Sequence, residues 1–319
     1  MLHSELYVTL MAFAVAGPAS VLTCAAALFY LRRVRLERPA IGTFNSRDIR
    51  VLFIFIVFLP LLYVWLPHWA LTFFLSVTFA SALSIGFRPV LGPAALWIGI
   101  GTLIGANIWL NRTMLGTEWG WRLCWLEGDL VVVLAATAVA NLYVQGGMRL
   151  RHVAWFALIL AGYDVLFTTV LPVNSHLAEE FLGWPLDPSV GMRFGLYNAT
   201  IGLGDLLVYA LFLAAAFKAY GRVAGRVAMV LIVVFGAAAP SAAPLLLDSF
   251  LTARTDLVVP AQTLFGPVAF LAYRWLRHRY GRERTMQEFL ASNDVVRPTS
   301  GPVERPVPVP EPAPAPSPA

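Results

Sequence analysis

The sequence predicts an all-α polytopic membrane protein of about nine transmembrane helices, followed by a disordered Pro-rich C-terminal tail. Three observations carry that expectation. Of 319 residues 59% are apolar and only 13% charged, far more apolar surface than a soluble core needs. Apolar runs near 20 residues, the length that crosses the hydrocarbon of a bilayer, recur between short polar breaks. The basic residues alternate between generous and sparse breaks, as topology signals do.

Taken in order, the runs fall at about 6–31, 49–66, 68–87, 89–110, 130–145, 153–171, 196–217, 227–247 and 257–276. The first begins in MLHSELYVTL, which lacks a basic leader, and stops at Arg32 and Arg33; it reads as a first helix with its N-terminus outside rather than as a cleaved signal peptide. Pro67 and His68 mark a tight turn between the second and third runs. With the N-terminus outside, 19 of the 23 Lys and Arg residues fall on the cytoplasmic side, leaving Arg112, Arg122, Arg193 and Arg254 outside. Two outer loops are acidic, one with Glu118, Glu127 and Asp129 and the other with Glu179, Glu180 and Asp187. Residues 1–284 therefore form the transmembrane domain and 285–319 a cytoplasmic tail. From Pro306 proline takes every second position, which forbids helix and favours a solvated polyproline II segment.

Several function classes drop out. The basic excess flanks apolar spans, so it implies membrane lipid and no nucleic-acid partner. Cys24 sits in the first span and Cys124 in a loop, with neither CxxC nor a His cluster, so no metal site and no cofactor is expected. Asn111-Arg-Thr113 matches a glycosylation sequon on the outer side. A single lysine among many arginines, with abundant Ala and Gly, suggests a GC-rich genome and a bacterial or archaeal cell membrane.

The chemistry lies in two aspartates, Asp164 in AGYDVLFTTV and Asp205 in IGLGDLLVYALF, each alone in an apolar span. A carboxylate at the bilayer centre costs about 2.5–3.5 kcal/mol on insertion scales, so such a group has a partner or a task. A shuffled chain of this composition yields GxGD roughly 0.05 times and Tyr-Asp roughly 0.25 times, so the two in order on adjacent antiparallel spans are a specific signal. About eleven and nine residues into their spans, they share a depth and can meet. Two carboxylates in contact share a proton, which leaves one as general base for water and the other as general acid for a peptide carbonyl. Gly202 and Gly204 flank Asp205 without side chains; they either thin the helix where an unwound substrate approaches or serve as ordinary small-residue packing. Tyr163 precedes one aspartate, and Asn198 and Tyr209 share a helix face with the other, within reach of the pair. In VVPAQTLFGP, Pro260 keeps the preceding chain extended before the last span begins.

The Tyr-Asp, GLGD and Pro-Ala elements, in this order and in spans six, seven and nine, resemble the signatures of the presenilin and signal peptide peptidase class of GxGD intramembrane aspartyl proteases. The resemblance covers order, spacing and span count over residues 6–276. It implies that Asp164 and Asp205 are the catalytic pair and that Pro260 and Ala261 belong to the family's Pro-Ala-Leu element. Gln262 stands where that family has leucine, either as an amide that orients water or substrate or as the mark of an inactive member. The inferred topology is similar to that of signal peptide peptidase and opposite to that of presenilin. By that likeness the partners are single-span transmembrane substrates with cytoplasmic N-termini, or signal-peptide remnants. Two readings from other classes compete. One is a proton-coupled transporter or channel, whose acids form a relay; transporters usually show inverted repeats with interrupted helices in both halves, whereas here the ionisable midplane groups lie only in the sixth and seventh spans. The other is an inactive presenilin-like scaffold.

Overall fold

A computed structural model of the chain describes residues 2–36, 47, 51, 54, 65–170, 184–194, 197–250 and 260–296. Helix α1 (Leu2–Arg33) is followed by α2 (His68–Phe87), α3 (Pro93–Met114), α4 (Glu118–Gln145) and α5 (Leu150–Val165), which runs on as a π-helical turn, Leu166–Val170. Strands β1 (Ser189–Phe194) and β2 (Tyr197–Gly202) form an antiparallel hairpin that feeds directly into α6 (Leu203–Tyr220). Helix α7 (Arg222–Leu231) continues through a π-helical stretch, Ile232–Ala238, into α8 (Ala239–Phe250). Helices α9 (Ala261–Tyr280) and α10 (Met286–Ala291) complete the order.

Among the described residues seven helices are long and apolar enough to cross a membrane, so the chain is a predominantly helical polytopic membrane protein. The second expected run, 49–66, lies almost wholly outside the described residues. Helix α9 is not among the seven; Arg274, Arg277 and Arg279 crowd its C-terminal half.

Four expectations are corrected. The seventh run does not open as helix: within a predominantly helical chain its residues 197–202 are strand, in a ladder from Ser189 opposite Gly202 to Phe194 opposite Tyr197, and the helix starts at Leu203. The fifth span starts at Glu118 rather than 130, because the Thr117 hydroxyl caps the helix by accepting from Gly120 N at 3.0 Å; Glu118, Cys124, Glu127 and Asp129 are thus helical, not loop, residues. The sequon at Asn111 lies inside α3 rather than beyond its end, with Asn111 buried and its side chain bonded to Cys124. Residues 285–296 are not a disordered tail: Thr285 and Glu288 form a reciprocal capping box, and Phe289 of α10 is fully buried against Phe217. The proline-rich stretch from Pro306 lies outside the described residues.

The core centres on α6, buried almost continuously from Leu206 to Ala219. Asn141 of α4 donates to Ala27 O of α1 at 3.1 Å, and the Tyr30 hydroxyl of α1 donates to Gly86 O of α2, so buried polar side chains tie neighbouring helices. Helix α9 turns one stripe inward, Gln262, Phe265, Gly266, Ala269, Tyr273 and Leu276, at helical spacing, and packs along α5. Gly266 is what lets the two backbones close: a Cβ there would stand 2.4 Å from Ala157 O and 2.8 Å from Ala161 Cβ. Gly266→Ala is therefore expected to destabilise the folded protein in detergent micelles by about 1–3 kcal/mol. Gly105→Ala, where a Cβ meets nothing within 4 Å, should stay within about 1 kcal/mol of wild type in the same denaturation measurement.

Candidate active site

Asp164 is the fifteenth residue of α5, and Asp205 is the third residue of α6, fifteen residues from its end at Tyr220. At 1.5 Å per residue the first lies roughly 21 Å from the start of its helix and the second roughly 22 Å from the end of its own. The helices run antiparallel, so the two carboxylates reach a common level, and they interact electrostatically. The expected matching of depth survives; the expected reason does not. Asp205 sits in the first turn of its helix rather than nine residues inside it, because the backbone above it is strand.

Gln262 joins the pair. Pro260 is the N-cap of α9, extended at φ −64° and ψ 139°, and Ala261 and Gln262 are the first two helical residues, whose backbone N–H groups have no partner inside the helix. The backbone N–H of Gln262 donates to the carboxylate of Asp164. Its side-chain Nε2 donates to Asp205 Oδ1 at 2.9 Å. One residue thus holds both carboxylates from a helix N-terminus, where the helix dipole also favours negative charge. Asp205 gains the same benefit from the first turn of α6. Gln262 is 3% exposed, and its Oε1 is a buried acceptor without a partner among the described residues.

One turn along α9, Phe265 packs edge-on to both Tyr209 (centroids 4.8 Å apart) and Phe212 (5.5 Å) of α6. These two rings lie four and seven residues after Asp205, on its helix face. The aromatic contact sets the height of α9 against α6 so that the Gln262 amide meets Asp205. Tyr209 itself does not serve the pair: its hydroxyl donates to Gly236 O at 2.8 Å, a carbonyl inside the π-helical stretch. Asn198 is in β2, not on the α6 face. Tyr163 packs against Phe167 of the π-turn, with ring centroids 4.5 Å apart. Gly202 is the N-cap of α6.

Gly202 and Gly204 are not packing residues. A Cβ at Gly204 or at Gly162, two positions before Asp164, would meet nothing within 4 Å, and one at Gly202 would meet only Asp205 Oδ2, at 3.8 Å, and Gly204 N, at 4.0 Å. Both aspartate helices are bare beside their carboxylates. Sequence reading missed Gly162, although its position before Tyr163 was a usable signal.

Above the pair the hairpin is seated by polar groups on α3 and α4. Asn107 Oδ1 accepts from Leu186 N at 2.7 Å while its Nδ2 donates to Glu127, and Asp129 Oδ1 accepts from Gly191 N at 2.9 Å. Ser189 Oγ donates to Asp187 Oδ1 at 2.8 Å, and Leu203 N donates to Pro188 O at 2.8 Å, which fixes the foot of the hairpin to the start of α6. A cavity of about 30 Å³, lined in part by Trp125, Asp129, Trp184 and Asp187, lies here. Among the described residues no group of three or more His, Cys, Asp or Glu is arranged to hold a metal. No family model and no curated protein matches the chain.

Two measurements follow from this geometry. Gln262→Leu should leave Asp205 without its side-chain donor and change turnover by about tenfold or less, roughly 1.4 kcal/mol, if the amide orients the site; a gain over a silent wild type would show that Gln262 disables it. Burial pushes the Asp187 carboxyl up to about 6, opposed in part by hydrogen bonds from Ser189. The folded state then binds this proton more tightly than the unfolded one, so stability falls as pH rises from about 4 through about 6. Asp187→Asn, which keeps the acceptor for Ser189, should raise Tm at pH 7 and match wild type near pH 4; an equal shift at both pH values would contradict this.

Proposed function

We propose that the protein is an intramembrane aspartyl protease that uses Asp164 and Asp205 to hydrolyse peptide bonds of membrane-spanning substrates. The single observation that carries this reading is the double contact of Gln262, whose backbone and side chain hold one carboxylate each and so make one site of two helices. Two carboxyl groups so placed share one proton, because both cannot ionise cheaply at close quarters. The ionised member takes a proton from water as its oxygen attacks the scissile carbonyl carbon, while the protonated member gives its proton to the carbonyl oxygen. In the collapse of the resulting gem-diol the amide nitrogen is protonated and the C–N bond breaks. The Gln262 Oε1 offers an acceptor to the water or to a substrate N–H, and the bare faces at Gly162, Gly202 and Gly204 give a substrate backbone room to approach.

An extended substrate suits the hairpin. A strand edge running into the residue two positions before Asp205 offers main-chain partners to a peptide that has lost its helix. The relay of a transporter is less well served. Among the other ionisable groups described in the spans, Glu127 and Asp129 seat the hairpin, and Lys218 donates to Val144 O at 3.1 Å at the end of α4.

We read the topology as nine spans, with the N-terminus outside and the C-terminus cytoplasmic, in a bacterial or archaeal cell membrane. Its support is that Arg32, Arg149, Lys218 and Arg284 gather at one end of the bundle, as cytoplasmic retention of basic residues requires. Substrates on this reading are single-span proteins or signal-peptide remnants that enter from lipid.

Asp164→Asn and Asp205→Asn are each expected to reduce cleavage of a purified single-span reporter by on the order of a thousandfold or more, with folding and insertion intact. Full activity in either variant would remove the protease reading.

A further inference from the structure

Helices α5 and α6 carry the aspartates, and both have ends at the basic face of the bundle, where their backbone groups need partners. The first N–H groups of α5 and the last C=O groups of α6 have none inside their own helices. Two adjacent residues between α9 and α10 supply them. Glu283 accepts from Leu150 N through Oε2 at 2.9 Å and from Arg151 N through Oε1 at 3.0 Å. Arg284 donates from Nη2 to Phe217 O at 3.0 Å and from Nε to Lys218 O at 3.0 Å and Ala219 O at 3.3 Å. The signs match the helix dipoles, an anion at the N-terminus of one helix and a cation at the C-terminus of the other.

The dipeptide is itself held. Arg284 Nη1 donates to Asp294 Oδ2 at 2.9 Å, with both side chains mostly buried. The Asp294 carbonyl accepts from Arg32 Nε of α1 at 3.1 Å, and Val296 N donates to Arg32 O at 3.0 Å. Phe289 anchors the segment in the core beside Phe217. Consecutive Cα atoms lie about 3.8 Å apart, so caps on consecutive residues fix the offset of α5 against α6. Each aspartate stands about 21–22 Å along its helix from this point. A slide of either helix at the clasp therefore moves one carboxylate past the other.

We propose that Glu283 and Arg284 are positioning residues of the aspartate pair, registering the two catalytic helices from the opposite end of the bundle. The proposal rests on the protease reading, and its test separates the two. With the full chain in lipid nanodiscs and a single-span reporter, Glu283→Ala and Arg284→Ala are each expected to lower kcat about tenfold with KM within about twofold, since small displacements of reacting groups cost rate rather than binding. Glu283→Gln keeps acceptor oxygen for the α5 amides and should stay within about threefold of wild type, and Arg284→Lys should recover part of the loss. Amide exchange at Leu150 and Arg151 should accelerate in Glu283→Ala. Should Glu283→Ala not fold, Glu283→Asp carries the test, with a lowered kcat at unchanged KM expected. Wild-type kcat in these variants, or a loss confined to KM, would overturn the proposal. Cleavage by neither wild type nor variants would instead remove the protease reading, and unchanged exchange at Leu150 and Arg151 would then overturn the clasp itself.

Discussion

The arrangement depends on how deeply α9 enters between α5 and α6. Its first turn must arrive with unpaired N–H groups beside two carboxylates, and two contacts one turn further on decide whether it does. Gly266 removes the side chain that would hold α9 away from Ala157 and Ala161 of α5. Phe265 wedges against Tyr209 and Phe212 of α6. With approach set by one residue and height by the other, Gln262 has a single position, and there it reaches both aspartates. A carboxylate in an apolar setting is costly unless it is hydrogen-bonded, so the helix N-terminus that completes the site also offsets the cost of burying it.

The second constraint acts from outside the helices. Asp205 is held by a helix that begins only two residues earlier, so the strand before it, and whatever seats that strand, set where the carboxylate stands. Asn107 and Asp129 hold the backbone of the 186–191 segment, and the Pro188 carbonyl accepts from the first residue of α6. Polar groups inside apolar helices α3 and α4, expensive in themselves, are thereby used to place a backbone segment that could not otherwise be irregular at that depth.

Much of this was legible in the residues. Apolar runs located most helices to within a few residues, and two lone aspartates in neighbouring spans marked the candidate site. Pro260 signalled the start of α9 correctly, because the missing N–H and fixed φ act locally. The strand at 197–202 was not legible: Tyr197–Gly202 carries no charge and runs without a break into the apolar Leu203–Tyr220 segment, and only pairing with Ser189–Phe194 makes it strand. The role of Gln262 was hidden for the same reason, since its partners lie 98 and 57 residues away in sequence. The early start of α4 had a signal, Thr117 followed by Glu118, that the charges at Glu127 and Asp129 overrode. The ordered segment at 285–296 also carried one, the Thr285 to Glu288 capping box.

The central claim is that Asp164, Asp205 and Gln262 form one site for a hydrated peptide bond. Equilibrium binding of a peptide that carries a hydroxyl-bearing transition-state isostere tests it without turnover. The account predicts saturable binding to the wild type, weakened by on the order of a hundredfold in both the Asp164→Asn and the Asp205→Asn protein. Equal affinity for the wild type and either variant would contradict it.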